Sequence, residues 1–351
     1  MSRRNRPVRQ ILVVCAVTAL AISALLTLSA RDEAGTAGPP TDCWRTVRDA
    51  ASLADAVAVI EPSQRLCLAG TGLADVTLAL DRSGKPGSPI VLSGAGAALS
   101  AIAISADDIV VQDLTIVGPG GIKLRGSRLT AQDNTILSGH GGILCECADS
   151  VIERNEVTGA DGAGIYIVGE QITVNGNTIS GSVALSRDAD GIRFFGTGLR
   201  IVNNVIRDIK DDGYPSGDRP HTDCFQTYDN DSPPTYDVII AGNRCTNVDH
   251  QCLIATGDER RNSGTPDGVR TIVFEDNTCE VEGSQAVLLR GYPHVSVRNN
   301  SLNATYHGVV LTEGSTDVTV IGNEVGGGAQ IYYLDSDSEP DFREARNRAV
   351  H

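Results

Sequence analysis

The stretch RPHTDCFQTYDN, from Arg219 to Asn230, places an imidazole, a carboxyl, an amide and a phenol at His221, Asp223, Gln226 and Tyr228. Aromatic residues are only 4% of the 351-residue chain, so this is a local concentration of groups that move and hold protons. Asp190, Arg193, His250, Gln251 and Arg290 stand in flanking segments of similar pattern. Two reactions suit the set. Glycosidic hydrolysis needs one carboxylic acid to protonate the leaving oxygen and one carboxylate to activate water or attack the sugar, roles that Asp190 and Asp223 fit. β-Elimination at a uronic acid needs a base, for which His221 and His250 are candidates. It also needs cations or amides to stabilise the substrate carboxylate: Arg193, Gln226, Gln251 and Arg290, with Tyr228 as acid or stacking platform. Proton return to the opposite face would make the second reaction an epimerisation.

Taken singly, each residue has a plainer reading: an Asp at a strand entrance forms turns, and a lone His or Arg is solvated. What brings them together is the spacing of the chain around them. The phrase x-Asn-x-β-branched recurs as QDNTI, ERNEV, NGNTI, VNNVI, AGNRC, EDNTC, RNNSL and IGNEV at Asn134, Asn155, Asn177, Asn204, Asn243, Asn277, Asn300 and Asn323. Leu114 of QDLTI holds the first slot, and successive spacings are 20, 21, 22, 27, 39, 34, 23 and 23 residues. Between copies stands a second alternating phrase, such as GGIKLRG, AGIYIVG, DGIRFFG, DCFQTYD and QAVLLRG. Both phrases read as short half-buried strands. A period near 20 to 23 is too short for a propeller blade or a helical-pair repeat, which leaves a parallel β-solenoid.

Stacking at about 4.8 Å would set the Asn residues in an internal amide ladder. It would also form an outer column of Gly120, Gly141, Ala163, Asp190, Asp223, Gln251, Gln285 and His307. Small residues give way to carboxylates and amides where the three long intervals fall, in the segments VALSRDA, DDGYPSGDRPH and GDERRNSGTPDG. Consecutive insertions over one face are how a repeat scaffold builds a cleft, so the candidate residues are expected to converge on one wall at turns 190 to 290.

The repeat resembles the right-handed parallel β-helix of the pectate-lyase and polygalacturonase superfamily over about residues 85–335. The resemblance implies an all-β solenoid, of about 9 to 11 turns by the repeat count, and a polysaccharide substrate. Right-handed crossovers are also the general rule for parallel strands. The residues around 42–62, including WRTVRDAASLADAVAVI, have helical apolar spacing, and in this superfamily such a helix caps the solenoid end. DADGI, HTDCF and DHQCL look like the Asn-Thr-Asp-Gly, Asp-Asp and Gly-His-Gly phrases of polygalacturonases. Thr222 replaces the first Asp of the second phrase, and His250 sits one place early. HTDCFQ is also similar to His-x-Asp-x-x-Gln phrases of secreted β-helix proteins. Elimination is therefore placed ahead of hydrolysis, and a non-catalytic carbohydrate-binding or surface structural protein stays as the third reading.

Arg3, Arg4, Arg6 and Arg9 precede the apolar run from Ile11 to Leu28, an export signal either cleaved after Ala30 or kept as an N-terminal anchor. Residues 31–41 read as a spacer, 42–84 as cap and first strands, and 336–351 as a frayed tail. The formal charge of −15 becomes 25 − 44 = −19 without residues 1–30, which argues against nucleic acid as a partner. A monomer is expected, touching membrane only through that segment. Eight cysteines follow the signal, an even number suited to disulfides outside the cytoplasm. Column register predicts cross-turn bridges Cys224 to Cys252 and Cys245 to Cys279, with Cys43 to Cys67 and Cys145 to Cys147 from the remainder. No cofactor is firmly expected. Calcium at Asp208, Asp211, Asp212 and Asp218 is the one candidate, although their spacing matches no defined loop.

Overall fold

The computed structural model describes residues 42–350 except 140, 186–187, 216, 229–232, 258–264 and 267, together with the side chains of 138 and 139. The export segment, the spacer and most of the third insertion lie outside the described residues. Among the described residues thirty strands pair in parallel through about 12 turns, one or more beyond the expected 9 to 11. Each middle turn has three faces, as in the wall strand Thr222–Tyr228, then Tyr236–Ala241, then Arg244–Val248. Isoleucine, valine and leucine from all three fill one continuous interior.

The Asn phrase does what its spacing requires. Each side-chain Nδ2 donates to the Oδ1 of the next turn's Asn at 2.9–3.1 Å, from Asn134 to Asn323. The same Oδ1 accepts the backbone N–H of the preceding Asn, so these buried amides are fully used. The residue before each ladder position turns the corner in the left-handed region: Asp133, Arg154, Gly176, Asn203, Gly242, Asp276, Asn299 and Gly322. That conformation explains why Asp, Asn and Gly dominate this slot.

The ladder runs one turn further than the repeat indicated. Asn323 donates to Asn347 Oδ1 at 3.0 Å, and Arg343–Ala345 and Arg348–Ala349 pair with the preceding turn. Residues 336–351 are thus not a frayed tail over their described part but a final rung. At the other end, Arg45–Asp49 is a strand paired with Arg65–Gly72, and the helix is only Ala50–Val57. Asp49 makes the helix N-cap through Ser52, which shortens the helix expected across 42–62.

Two of the four disulfides differ from the expected pairing. Cys43–Cys67 and Cys145–Cys147 form as anticipated, but the others are Cys224–Cys245 and Cys252–Cys279, with Cα separations of 6.2 and 5.8 Å. The columns themselves are right, since Cys245 stacks on Cys279. In-register neighbours project side by side, however, whereas the two positions of one turn face each other across the interior. Gly164 with Ile179 and Gly191 with Ile206 occupy this facing pair in the preceding turns. A glycine Cβ there would fall 2.4 and 2.6 Å from the isoleucine Cγ2. A disulfide replaces that small-against-large packing within a single turn. The four bridges suit an extracellular protein. Among the described residues no helix is long and apolar enough to cross a membrane.

Candidate active site

Parallel pairing sets the wall residues in columns. Asp190 stacks on Asp223 and Arg193 on Gln226, while Tyr228, Thr256 and Arg290 form a neighbouring column. In the outer column Ala163 pairs in register with Asp190, so one turn to the next exchanges a methyl for a carboxyl.

The two aspartates are wholly buried and joined to one another through the chain: Asp223 N–H donates to Asp190 Oδ1 at 3.3 Å. Asp190 Oδ2 accepts from Arg193 Nε at 3.0 Å and also from Nη2. Burial pushes the Asp190 carboxyl up to about 6 against the pull of Arg193. For Asp223, burial and then the charge of Asp190 raise its value well above the carboxylate range, opposed by the N–H of Gln251 at 2.8 Å. Asp223 is therefore the carboxyl of the pair that favours its neutral form. Gln226 Nε2 lies 3.5 Å from Asp223 Oδ2, and Gln226 Oε1 is a buried acceptor without a partner. Exchanging the amide oxygen and nitrogen would bring that acceptor to the proton of a neutral Asp223.

His221 lies at the solvent edge of this pair, its side chain 57% exposed and its Nδ1 3.9 Å from Asp223 Oδ2. Its ring stacks on that of His250 at 5.3 Å between centroids. His250 accepts at Nδ1 from Thr222 N–H at 3.2 Å and from the Thr222 hydroxyl at 2.8 Å. Since an N–H can only donate, the neutral His250 ring carries its proton on Nε2. Partial burial, and then His221 alongside, lower the His250 value and keep it neutral.

A cleft of about 750 Å³ opens over this wall, lined by His221, Gln226, Tyr228, Asp188, Arg290 and Glu313 above an apolar floor of Ile254 and Leu288. Of the nine residues expected to converge, four line it. Asp190, Asp223 and Gln251 are buried beneath, and His250 buttresses His221. Arg193 is likewise interior, bound to Asp190 with its guanidinium 5.6 Å from the Tyr228 ring, so it is not a free cation for a substrate. Arg290 is exposed but paired with Glu313 at 2.8 Å. Asp188 and Glu313 are lining groups that sequence reasoning missed. Asp188 stands inside the quoted VALSRDA insertion, and Glu313 lies six residues after His307 of the outer column, at the end of the copy HGVVLTE of the second phrase.

The calcium candidates do not form a cage. Asp208 bonds Asn247 and Arg207, Asp211 takes Arg219, and no group of three or more His, Cys, Asp or Glu suited to a metal occurs among the described residues.

Comparison with known proteins agrees with the architecture. The family model described as "Right handed beta helix region" matches residues 96–206 and 120–264. The catalytic unit of a GH87 alpha-1,3-glucanase from Streptomyces thermodiastaticus superposes with TM-score 0.54 at 13% identity, covering 89% of this chain and 67% of that one. A tailspike protein of E. coli bacteriophage HK620, solved in complex with pentasaccharide, gives 0.52 at 10% identity and covers 88% of this chain. The chain spans only 60% of that tailspike. No curated protein matches by sequence. These likenesses establish the fold and its right-handed winding.

Proposed function

From a right-handed parallel β-helix with a proton-transfer cluster under one cleft, we propose an extracellular enzyme that cleaves an acidic polysaccharide by β-elimination. The observation that carries this reading is the difference in access between the imidazole and the carboxyls. His221 faces the cleft while Asp190 and Asp223, the pair that the sequence offers for hydrolysis, have no exposed surface. In the elimination, the His221 imidazole removes the proton beside the sugar carboxylate. Gln226, and Arg290 on exchanging its Glu313 partner for the substrate, hold that carboxylate as charge builds on it, and the Tyr228 hydroxyl protonates the leaving oxygen. His250 and Asp223 position His221 from below. The alpha-1,3-glucanase and the saccharide-bound tailspike support a glycan as the ligand of such a face.

A second reading has its own observation. Asp188 and Glu313 both line the cleft, so hydrolysis by these two carboxylates is the competing mechanism. Incubation with a panel of uronic-acid and neutral polysaccharides separates them. Elimination yields ultraviolet-absorbing unsaturated ends together with reducing ends, whereas hydrolysis yields reducing ends alone. Neither signal across the panel would reject both mechanisms.

A further inference from the structure

We propose that the cleft is one end of a longer groove. At its other end Lys123 and Tyr166 form a non-catalytic subsite for an acidic sugar unit of the same polymer. This rests on the polysaccharide reading above but not on its reaction. A second cavity of about 410 Å³ lies on the same sheet, lined by Lys123, Tyr166, Glu146 and Asp161 among others. Register ties it to the cleft, because Lys123 stacks on Leu144, Leu144 on Tyr166, Tyr166 on Arg193 and Arg193 on Gln226. Four strand spacings separate Lys123 from Gln226, about 19 Å, the reach of a short oligosaccharide.

A tyrosine lines each cavity, Tyr166 the far one and Tyr228 the cleft, and the buried Phe195 ring packs between them at 5.6 and 5.2 Å and holds both in place. At the far cavity the wall is bare, because the outer column there carries only Gly120, Gly141 and Ala163.

Charge identifies the ligand class. Of the cations on this face, Arg125, Arg193 and Arg290 are each held by a carboxylate, whereas Lys123 is exposed and forms no ion pair among the described residues. The carboxylates beside it are engaged elsewhere: Glu146 by Arg125, and Asp161 by the Leu185 N–H at 2.8 Å. An exposed ammonium over a bare floor, next to an aromatic ring, fits a sugar that carries a carboxylate.

The test is affinity electrophoresis of the full chain through gels containing alginate, polygalacturonate or a neutral glucan, with turnover measured separately. The wild type should be retarded by at least one of the two polyuronates and not by the glucan. Lys123→Ala should weaken that binding about five-fold, about 1 kcal/mol, and Lys123→Arg should restore most of it. His221→Ala should bind like the wild type. Equal retardation of Lys123→Ala and wild type, equal retardation by the glucan, or no polyuronate binding would each overturn the subsite. Lys123-dependent binding without any turnover would uphold the subsite and reject the enzymatic reading. Turnover that is indifferent to Lys123 on long polymers would do the reverse.

Discussion

His221 Nδ1 lies 3.9 Å from Asp223 Oδ2, an exposed imidazole set against a carboxyl with no exposed surface. If that imidazole is the base, His221→Ala should lower turnover by about 10²- to 10⁴-fold while the unfolding temperature stays within a degree or two. His250→Ala should cost less activity and more stability, because it removes the Thr222 hydrogen bonds and the stacking surface but no group in the cleft. Initial rates alongside thermal melts measure both, and full activity in His221→Ala would remove the imidazole from the mechanism.

The buried aspartates make stability depend on pH in a defined direction. Both have folded values above the ordinary carboxylate value of 3.8, with Asp190 at about 6, so the native state holds protons that the unfolded chain has released. The stability they contribute is complete below about pH 4 and is lost as pH rises, through about 6 for Asp190 and further for Asp223. Asp223→Asn keeps the shape, cannot ionise and relieves the repulsion on Asp190. Its melting temperature should decline less than that of the wild type between pH 4 and 8. A parallel decline would show that Asp223 is ionised without cost.

Disulfide mapping offers a direct check on the interior. Proteolysis without reduction, followed by mass spectrometry, should recover peptides joining Cys224 to Cys245 and Cys252 to Cys279. Cross-turn peptides joining Cys224 to Cys252 would contradict the facing-pair geometry.

The ladder is the stability device most open to a single substitution. Asn204→Ala removes the Oδ1 that accepts both Asn177 N–H and Asn177 Nδ2 at 2.9 Å, leaving buried donors unpaired. A loss of about 1–3 kcal/mol for each unsatisfied group is expected in denaturant unfolding. Asn347→Ala should cost less, because its side chain is only partly buried at the last rung.

Much of the fold was legible because a stacked repeat writes its register directly into spacing. Asn134 to Asn323 reveal the ladder, and Asp190, Asp223, Arg193 and Gln226 take the columns that their places in the phrases imply. The last rung was overlooked because Asn347 belongs to ARNRAV, whose Arg and Ala do not reproduce the β-branched half of the phrase. Spacing alone could not tell which members of a column would be covered. Asp223 and His221 are two residues apart, yet one is enclosed by Gln251, Gln226 and Asp190 and the other reaches solvent.

By itself, then, the sequence determined the solenoid repeat, the register and the face on which chemistry is concentrated, since all three follow from periodicity along the chain. Access, pairing and protonation were decided only by the tertiary structure. Asp190 and Asp223 end with no exposed surface, Glu313 pairs with Arg290, and cysteines meet across a turn instead of along a column. Each of these depends on the distance between side chains that no spacing in the sequence specifies.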